Sequence, residues 1–264
     1  MKKLELANQV ALVTGASSGL GVDFARQLAA RGASLVLVAR REQQLRAVAA
    51  EIEKEYAVSA QIIAMNLALP GAPQALYDQL QQRGIQVDVL VNNAGFGIYG
   101  DFVDVPWERE KAMLDIDIIA LTHMTKLFAQ GMLARKSGYI LQVASIGAYQ
   151  PSPTYATYSA AKAYVLMMGE ALNYELRHSG VSVTVVSPGV TATEFLKVAG
   201  QSPSLYQRMM MMDSPSVARI GVESMLRRRP SVIPGFLNSL VAFSFRFMPR
   251  RWQAVAAYLS MTQK

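Results

Sequence analysis

The run Val10-Ala11-Leu12-Val13-Thr14 passes without interruption into Gly15-Ala16-Ser17-Ser18-Gly19-Leu20-Gly21 and then into a helical pattern. A strand that enters a glycine turn and leaves as a helix is the opening of a βαβ unit, and the remainder of the chain keeps the same rhythm. Buried strands are predicted near 10–14, 34–39, 60–65, 87–91, 138–143 and 181–186, with a short seventh near 231–233. Ala33-Ser34-Leu35-Val36-Leu37-Val38 is nearly continuous in apolar residues, as expected of a strand covered on both faces. Helices are predicted over 19–31, 42–56, 72–83, 107–135, 155–178 and 216–228.

The fold class expected is therefore α/β: a Rossmann-type doubly wound parallel sheet of about seven strands with helices on both faces. No linker and no internal repeat divides the chain, so residues 1–264 are read as one domain, with 190–264 an appended substrate lid and tail. The single low-complexity patch, Met209-Met210-Met211-Met212, either fills core space or offers an adaptable apolar surface to a ligand.

The glycine turn has a chemical use. Without Cβ atoms the backbone can approach a pyrophosphate closely, and the N–H groups and positive dipole end of the following helix meet its charge. The spacing is G-x-x-x-G-x-G, not the commoner G-x-G-x-x-G, but the strand–turn–helix context is present. A tight turn with only a structural role is the alternative.

Composition excludes other chemistry. Among 264 residues there is no cysteine, which removes disulfides and Cys-ligated zinc or iron–sulfur sites, and the two histidines, His123 and His178, leave little for a His-based site. No metal is expected. The net charge of +7 is unevenly placed: residues 1–196 hold 16 Lys/Arg against 17 Asp/Glu, and residues 197–264 hold 10 against 2. No basic helix, zinc finger or ribonucleoprotein motif accompanies the excess, so a solvated or membrane-facing basic surface is expected, not a nucleic-acid reader. Lys2 and Lys3 precede no apolar run of signal-peptide length, and no stretch of about 20 residues is apolar enough to span a bilayer. A cytoplasmic protein is expected, in contact with the inner face of a membrane if the tail binds lipid.

Further motifs stand at the ends of later strands: Asn92-Asn93-Ala94-Gly95 after the fourth, Ser145 after the fifth, Tyr158-x-x-x-Lys162 thirteen residues on, and Pro188-Gly189 after the sixth. Together with the glycine turn, in this order along nearly the whole chain, they resemble the short-chain dehydrogenase/reductase superfamily. The resemblance implies that Gly15, Ser17, Ser18, Gly19, Leu20 and Gly21 bind cofactor phosphates. It further implies that Asn93, Ala94 and Gly95 line the adenosine side, and that Pro188, Gly189, Val190, Thr191 and Thr193 hold the nicotinamide carboxamide.

Tyr158 and Lys162, four apart on a helix, project from one face and can act on one atom. A neighbouring ammonium favours the phenolate, so Lys162 is expected to lower the Tyr158 pKa and fit it for proton exchange with a carbonyl or alcohol oxygen. Ser145, at a strand's C-terminal end, is placed to hydrogen-bond that oxygen. The family usually has an asparagine where this chain has Asp117, and that residue supports a water chain to the lysine. The aspartate's charge is expected to hold the ammonium instead; a helix-capping or solvated carboxylate is the alternative.

At the end of the second strand, where an acid would meet the ribose 2′-hydroxyl of NAD, the chain has Ala39-Arg40-Arg41 and no acid before Glu42. NADP(H) is the expected cofactor, with Arg40 its principal phosphate ligand, Arg41 and Ser17 assisting, and Asn66 and Leu67 near the adenine. Surface charges at a helix start are the alternative.

The function expected is transfer of a hydride between NADP(H) and a carbonyl or alcohol carbon. Reduction of a bulky apolar ketone or aldehyde fits a lid region offering Phe195, Leu196, Leu205, Tyr206 and four methionines. An NADP-binding sensor or scaffold with little turnover is the rival. Residues 227–252, with their aromatics and arginines, are expected either to lie on a membrane surface or to pack on protein, and a homo-oligomer is expected.

Overall fold

The computed structural model describes residues 5–261. The chain order is β1 (Val10–Thr14), α1 (Leu20–Ala29), β2 (Ser34–Ala39), α2 (Glu42–Tyr56), β3 (Ala60–Ala64), α3 (Ala72–Gln82), β4 (Val89–Asn92), α4 (Trp107–Leu114), a π-helical stretch (Asp115–Ala120), α5 (Leu121–Arg135) and β5 (Gly138–Val143). Then come α6 (Ala156–Glu175), β6 (Val181–Val186), α7 (Phe195–Ala199), α8 (Leu205–Met210), α9 (Ser214–Leu226), β7 (Ser231–Val232), α10 (Phe236–Ser244) and α11 (Arg250–Met261). The seven strands form one sheet in the order β3-β2-β1-β4-β5-β6-β7. Every pairing is parallel.

Alternation along the strands distributes the core between two layers. Ala11 and Val13 of β1 and Leu35 and Leu37 of β2 pack against Phe24 and Leu28 of α1, Leu45 and Ile52 of α2, and Ala218 and Val222 of α9. Leu12 of β1 and Val36 and Val38 of β2 face the other way, against Leu76 and Leu80 of α3 and Met124 and Phe128 of α5. Transfer of each such Leu or Phe from water contributes about 1.5–3 kcal/mol. Both faces of the sheet are thus needed, which is why β1 and β2 read as nearly unbroken apolar runs.

The strand order reverses between β1 and β4. Turns leaving the C-terminal ends of these two strands open a crevice there, the place where open α/β sheets bind ligands.

Three features depart from the sequence expectations. The helix expected over 107–135 is continuous in space but contains a π-helical stretch at its middle, Asp115–Ala120. The four methionines do not fill the core: none of them is buried, and Met209 is 76% exposed. Met212 instead forms a short parallel bridge with Thr191, its N–H donating to Val190 and its carbonyl accepting from Ala192. On either side of the helix and seventh strand expected after β6, where no elements are expected, the chain folds into the helices α7, α8, α10 and α11.

Candidate active site

The glycine turn is shaped by contacts that leave no room for side chains. Gly15 has φ +68°, and a Cβ there would lie 2.8 Å from Asn93 Nδ2 and 2.9 Å from Ala94 Cα. β4 is locked against β1 at the same point. Thr14 Oγ1 accepts the backbone N–H groups of Asn93 and Ala94, each at 2.9 Å, and Asn93 Nδ2 donates to the Thr14 carbonyl at 2.9 Å. Gly21 lies behind the turn, where a Cβ would collide with the Gly15 carbonyl oxygen. Its role is to let the turn close, and it does not border the crevice.

The crevice is a cavity of about 590 Å³. Its walls include Gly15, Ser17, Ser18, Gly19, Leu20, Arg40, Arg41, Asn66, Leu67, Asn93, Ala94 and Gly95 on one side, and Ser145, Tyr158, Lys162, Pro188, Gly189, Val190, Thr191 and Thr193 on the other. A backbone that admits no Cβ, at a helix N-terminus, with arginines at the far edge, fits the diphosphate of a dinucleotide. The two arginines differ in their engagement. Arg41 Nη2 donates to Ser18 Oγ at 2.6 Å and to Ser17 Oγ at 3.2 Å, and Nη1 lies 3.6 Å from Glu194. Arg40 is exposed and lines the cavity without an ion pair to any described residue.

Ser145, Tyr158, Lys162 and Asp117 come together at the inner end. Ser145 follows β5 and accepts the Gly147 N–H at 3.1 Å, which fixes its rotamer. Tyr158 and Lys162 sit on the first turns of α6, with the ammonium 5.7 Å from the centre of the phenol ring. Lys162 is buried and donates to the Val143 carbonyl at 3.1 Å, and its Nζ lies 3.5 Å from Asp117 Oδ2. Asp117 lies behind the cavity wall, fully buried on the π-helical stretch, the kind of local irregularity that marks functional sites. Space for its carboxylate comes from Gly95, where a Cβ would collide with Oδ1.

The electrostatics run opposite to one expectation. Burial pushes the Tyr158 pKa up, and the Asp117 and Tyr155 charges add to that, while its hydrogen bond with Ser145 draws it down. The Lys162 ammonium is turned to Asp117 and Val143. Burial also pushes Asp117 up, to about 6, against the attraction of Lys162 and the Phe96 backbone. Neither Asp117 oxygen closes a hydrogen bond of good geometry.

Several cavity residues carried no sequence signal strong enough to name them. Tyr155, one turn before Tyr158, packs on its ring with centroids 5.7 Å apart; Phe195 of α7 packs on it at 5.4 Å. The i,i+3 spacing of Tyr155 and Tyr158 was the available signal. Arg109, Gln207 and Met261 also line the cavity, brought there from α4, α8 and α11 by tertiary folding alone. Of the lid residues named from sequence, Phe195 and Leu196 border the cavity, whereas Leu205, Tyr206 and the four methionines do not. Among the described residues no group of three or more His, Asp or Glu is placed to hold a metal ion.

Comparison with known proteins agrees with this arrangement. The short chain dehydrogenase family model matches residues 9–203. A very-long-chain 3-oxoacyl-CoA reductase of Anas platyrhynchos is 33% identical over 226 residues, 81% of this chain and 69% of that protein. Fungal relatives of the same description, from Pyrenophora tritici-repentis and Phaeosphaeria nodorum, are spanned to only 63% and 56% of their lengths. Among solved structures, a short-chain dehydrogenase from Sphingobium yanoikuyae in complex with NADPH superimposes with a TM-score of 0.80 at 29% identity, covering 91% of this chain and 94% of that one. A bulky-bulky ketone specific alcohol dehydrogenase from Comamonas testosteroni does so with a TM-score of 0.76 at 26% identity, covering 95% and 98%. Strand order, glycine turn, Ser145/Tyr158/Lys162 cluster and family match all converge: the chain belongs to the short-chain dehydrogenase/reductase family of oxidoreductases.

Proposed function

We propose that this protein is an NADP(H)-dependent reductase of a bulky apolar ketone or aldehyde. The observation that carries the reading is Arg40, an arginine without an ion-pair partner among the described residues, at the end of β2 on the rim of the same cavity that contains Ser145 and Tyr158. An acid at that position would select the 2′-hydroxyl of NAD; a free guanidinium suits the 2′-phosphate of NADP. The NADPH complex of the Sphingobium relative lends support.

When bound, the nicotinamide supplies the hydride. The Ser145 hydroxyl donates to the substrate oxygen and orients the carbonyl. Tyr158, kept as the phenol by burial, gives that oxygen its proton, a direction that suits reduction. Lys162, anchored by Val143 and Asp117, lies behind the ring and stabilises the phenolate that remains. Ile116, Phe195, Leu196, Val198 and Met261 give the substrate end an apolar wall, which supports a bulky apolar substrate. The ketone-specific and acyl-CoA-acting relatives point the same way.

The whole chain then serves as a single oxidoreductase domain, with 190–264 as substrate lid and tail. The working unit is a homo-oligomer. Tyr164, Met167 and Tyr174 form an outward apolar stripe on α6 at spacings of three and seven, and Tyr164 is joined to Thr122 of α5 at 3.0 Å, which supports this helix pair as the self-association face.

Oxidation of NADPH and of NADH, followed against ketones and aldehydes graded by chain length and charge, tests the function. The expected result is NADPH-dependent turnover that rises with apolar bulk. Tight NADPH binding with no turnover on any member would leave a sensor or scaffold.

A further inference from the structure

The last acidic residue of the chain is Glu223; residues 224–264 carry seven Lys or Arg and no Asp or Glu. Helices built from this stretch turn apolar side chains outward. Along α10 and the turn after it, Phe236, Leu240, Phe243 and Phe247 recur at spacings of four, three and four, and Phe236 and Phe247 are 81% and 77% exposed. α11 repeats the pattern with Trp252, Val255 and Leu259, all exposed. The opposite sides are fixed to the protein. Asn238, Ala242, Gln253 and Ala257 are buried, and Gln253 Nε2 donates to the Phe245 and Met248 carbonyls, each at 2.8 Å, tying the two helices together. These are ordered helices with one face held and one apolar face turned to solvent.

Cations border that face. Arg246 lies over the Phe243 ring at 5.6 Å and Arg251 over the Trp252 ring at 5.3 Å. Neither these nor Arg250 forms an ion pair with any described residue. We propose that the outward face of α10 and α11, with Arg246, Arg250 and Arg251, docks on the surface of an anionic lipid bilayer. Apolar and aromatic side chains enter the acyl boundary while the guanidinium groups meet headgroup phosphates, the division of labour of an interfacial helix. A second copy of the chain is the less favourable occupant. A two-fold interface would set the same arginines against one another, and the stretch from 224 onward contains no acid to neutralise them.

The docking face is also tied to the cavity. Met261, at the end of α11, lines the cavity. Its carbonyl accepts from Gln201 Nε2 at 3.0 Å, and Gln201 Oε1 accepts from the Tyr155 hydroxyl at 2.8 Å, beside Tyr158. Ser204 Oγ, at the start of α8, donates to the Ser260 carbonyl at 2.7 Å. A docked bilayer therefore lies next to the wall through which an apolar substrate would enter. Substrate entry by this route rests on the reductase reading; the docking does not.

Co-sedimentation of the full chain with phosphatidylcholine vesicles, with and without phosphatidylglycerol, at low and high salt tests the proposal. The expected result is binding to the mixed vesicles that falls at least about tenfold at high salt, as screening of several cation contacts requires. Phe243→Ser/Phe247→Ser and Arg246→Gln/Arg250→Gln/Arg251→Gln should each weaken it to the same degree, with unchanged melting temperature and unchanged reduction of a small soluble ketone. No binding to mixed vesicles at low salt, or equal binding by the variants, overturns it. So does a fall in sedimentation coefficient of the Phe243→Ser/Phe247→Ser protein from oligomer to monomer, which would make this face a self-interface.

Discussion

The Asp117 carboxylate lies 3.5 Å from the Lys162 ammonium, buried beneath the pocket that holds Tyr158. A carboxylate at this depth is costly, and the lone ammonium facing it offsets only part of that cost. Folding therefore raises its pKa from 3.8 to about 6.

The sign of the resulting pH dependence is fixed by which state holds the proton. Between about pH 4 and 6 the folded Asp117 is protonated and the unfolded one is not, so this group makes stability fall as pH rises through that window. The total contribution is about 3 kcal/mol. Urea unfolding of Asp117→Asn from pH 4 to 7 should lack this slope. Parallel curves for the two proteins would mean that Asp117 is ionised throughout.

Asp117 also acts on Tyr158, whose pKa its charge helps to raise. In the alcohol-oxidising direction, where Tyr158 must accept a proton, the rise of kcat with pH should move to lower pH in Asp117→Asn. An unmoved profile with lowered kcat would assign the carboxylate a role in positioning Lys162 alone.

Tyr158→Phe removes the proton donor while keeping the ring that packs on Tyr155 and Phe195. The expected loss in kcat is about 10²–10⁴-fold, with the NADPH dissociation constant unchanged. Near-normal turnover would move the acid role to another group.

Arg40 and Arg41 separate by their partners. Arg40→Ala should weaken NADPH binding by about 1.5–3 kcal/mol and leave NADH untouched, as expected for loss of a charge-assisted bond to the 2′-phosphate. Arg41→Ala should weaken both cofactors, because Arg41 braces Ser17 and Ser18 of the phosphate turn. Equal losses for both cofactors in Arg40→Ala would contradict its assignment.

Gly95→Ala places a methyl group against Asp117 Oδ1 and 3.3 Å from Lys162 Nζ. Overpacking at such a site costs about 1–3 kcal/mol. The expected signature is a lowered melting temperature that Asp117→Ala, by removing the obstructing carboxylate, partly restores.

The sheet was legible because central strands such as β1 and β2 are apolar on both faces and run into turn residues; β1, β2, β5 and β6 lie where the sequence places them. The site was legible where one strand end carries a whole motif, as in Thr14 to Gly21 or Asn92 to Gly95. Other parts of it depend on contacts distant in sequence. Met261 reaches the cavity only because Gln201 and Ser204 hold the end of α11, and α7 and α8 are too short for a periodic signal. Composition left two alternatives at Met209–Met212, and the structure removes core filling: Met209 is exposed and the other three are half-buried. The hold of Asp117 on the Lys162 ammonium was legible from the sequence and is present at 3.5 Å, whereas the rise of the Tyr158 pKa comes mainly from burial, which spacing on one helix does not reveal.

Reduction of a bulky apolar carbonyl by NADPH and Tyr158 is tested most directly by single-turnover oxidation of enzyme-bound NADPH on mixing with a long-chain ketone. Rapid oxidation by the wild-type enzyme is expected, slowed about 10²–10⁴-fold by Tyr158→Phe at equal NADPH occupancy. Oxidation at the same rate in both proteins, or none in either with every carbonyl offered, would contradict it.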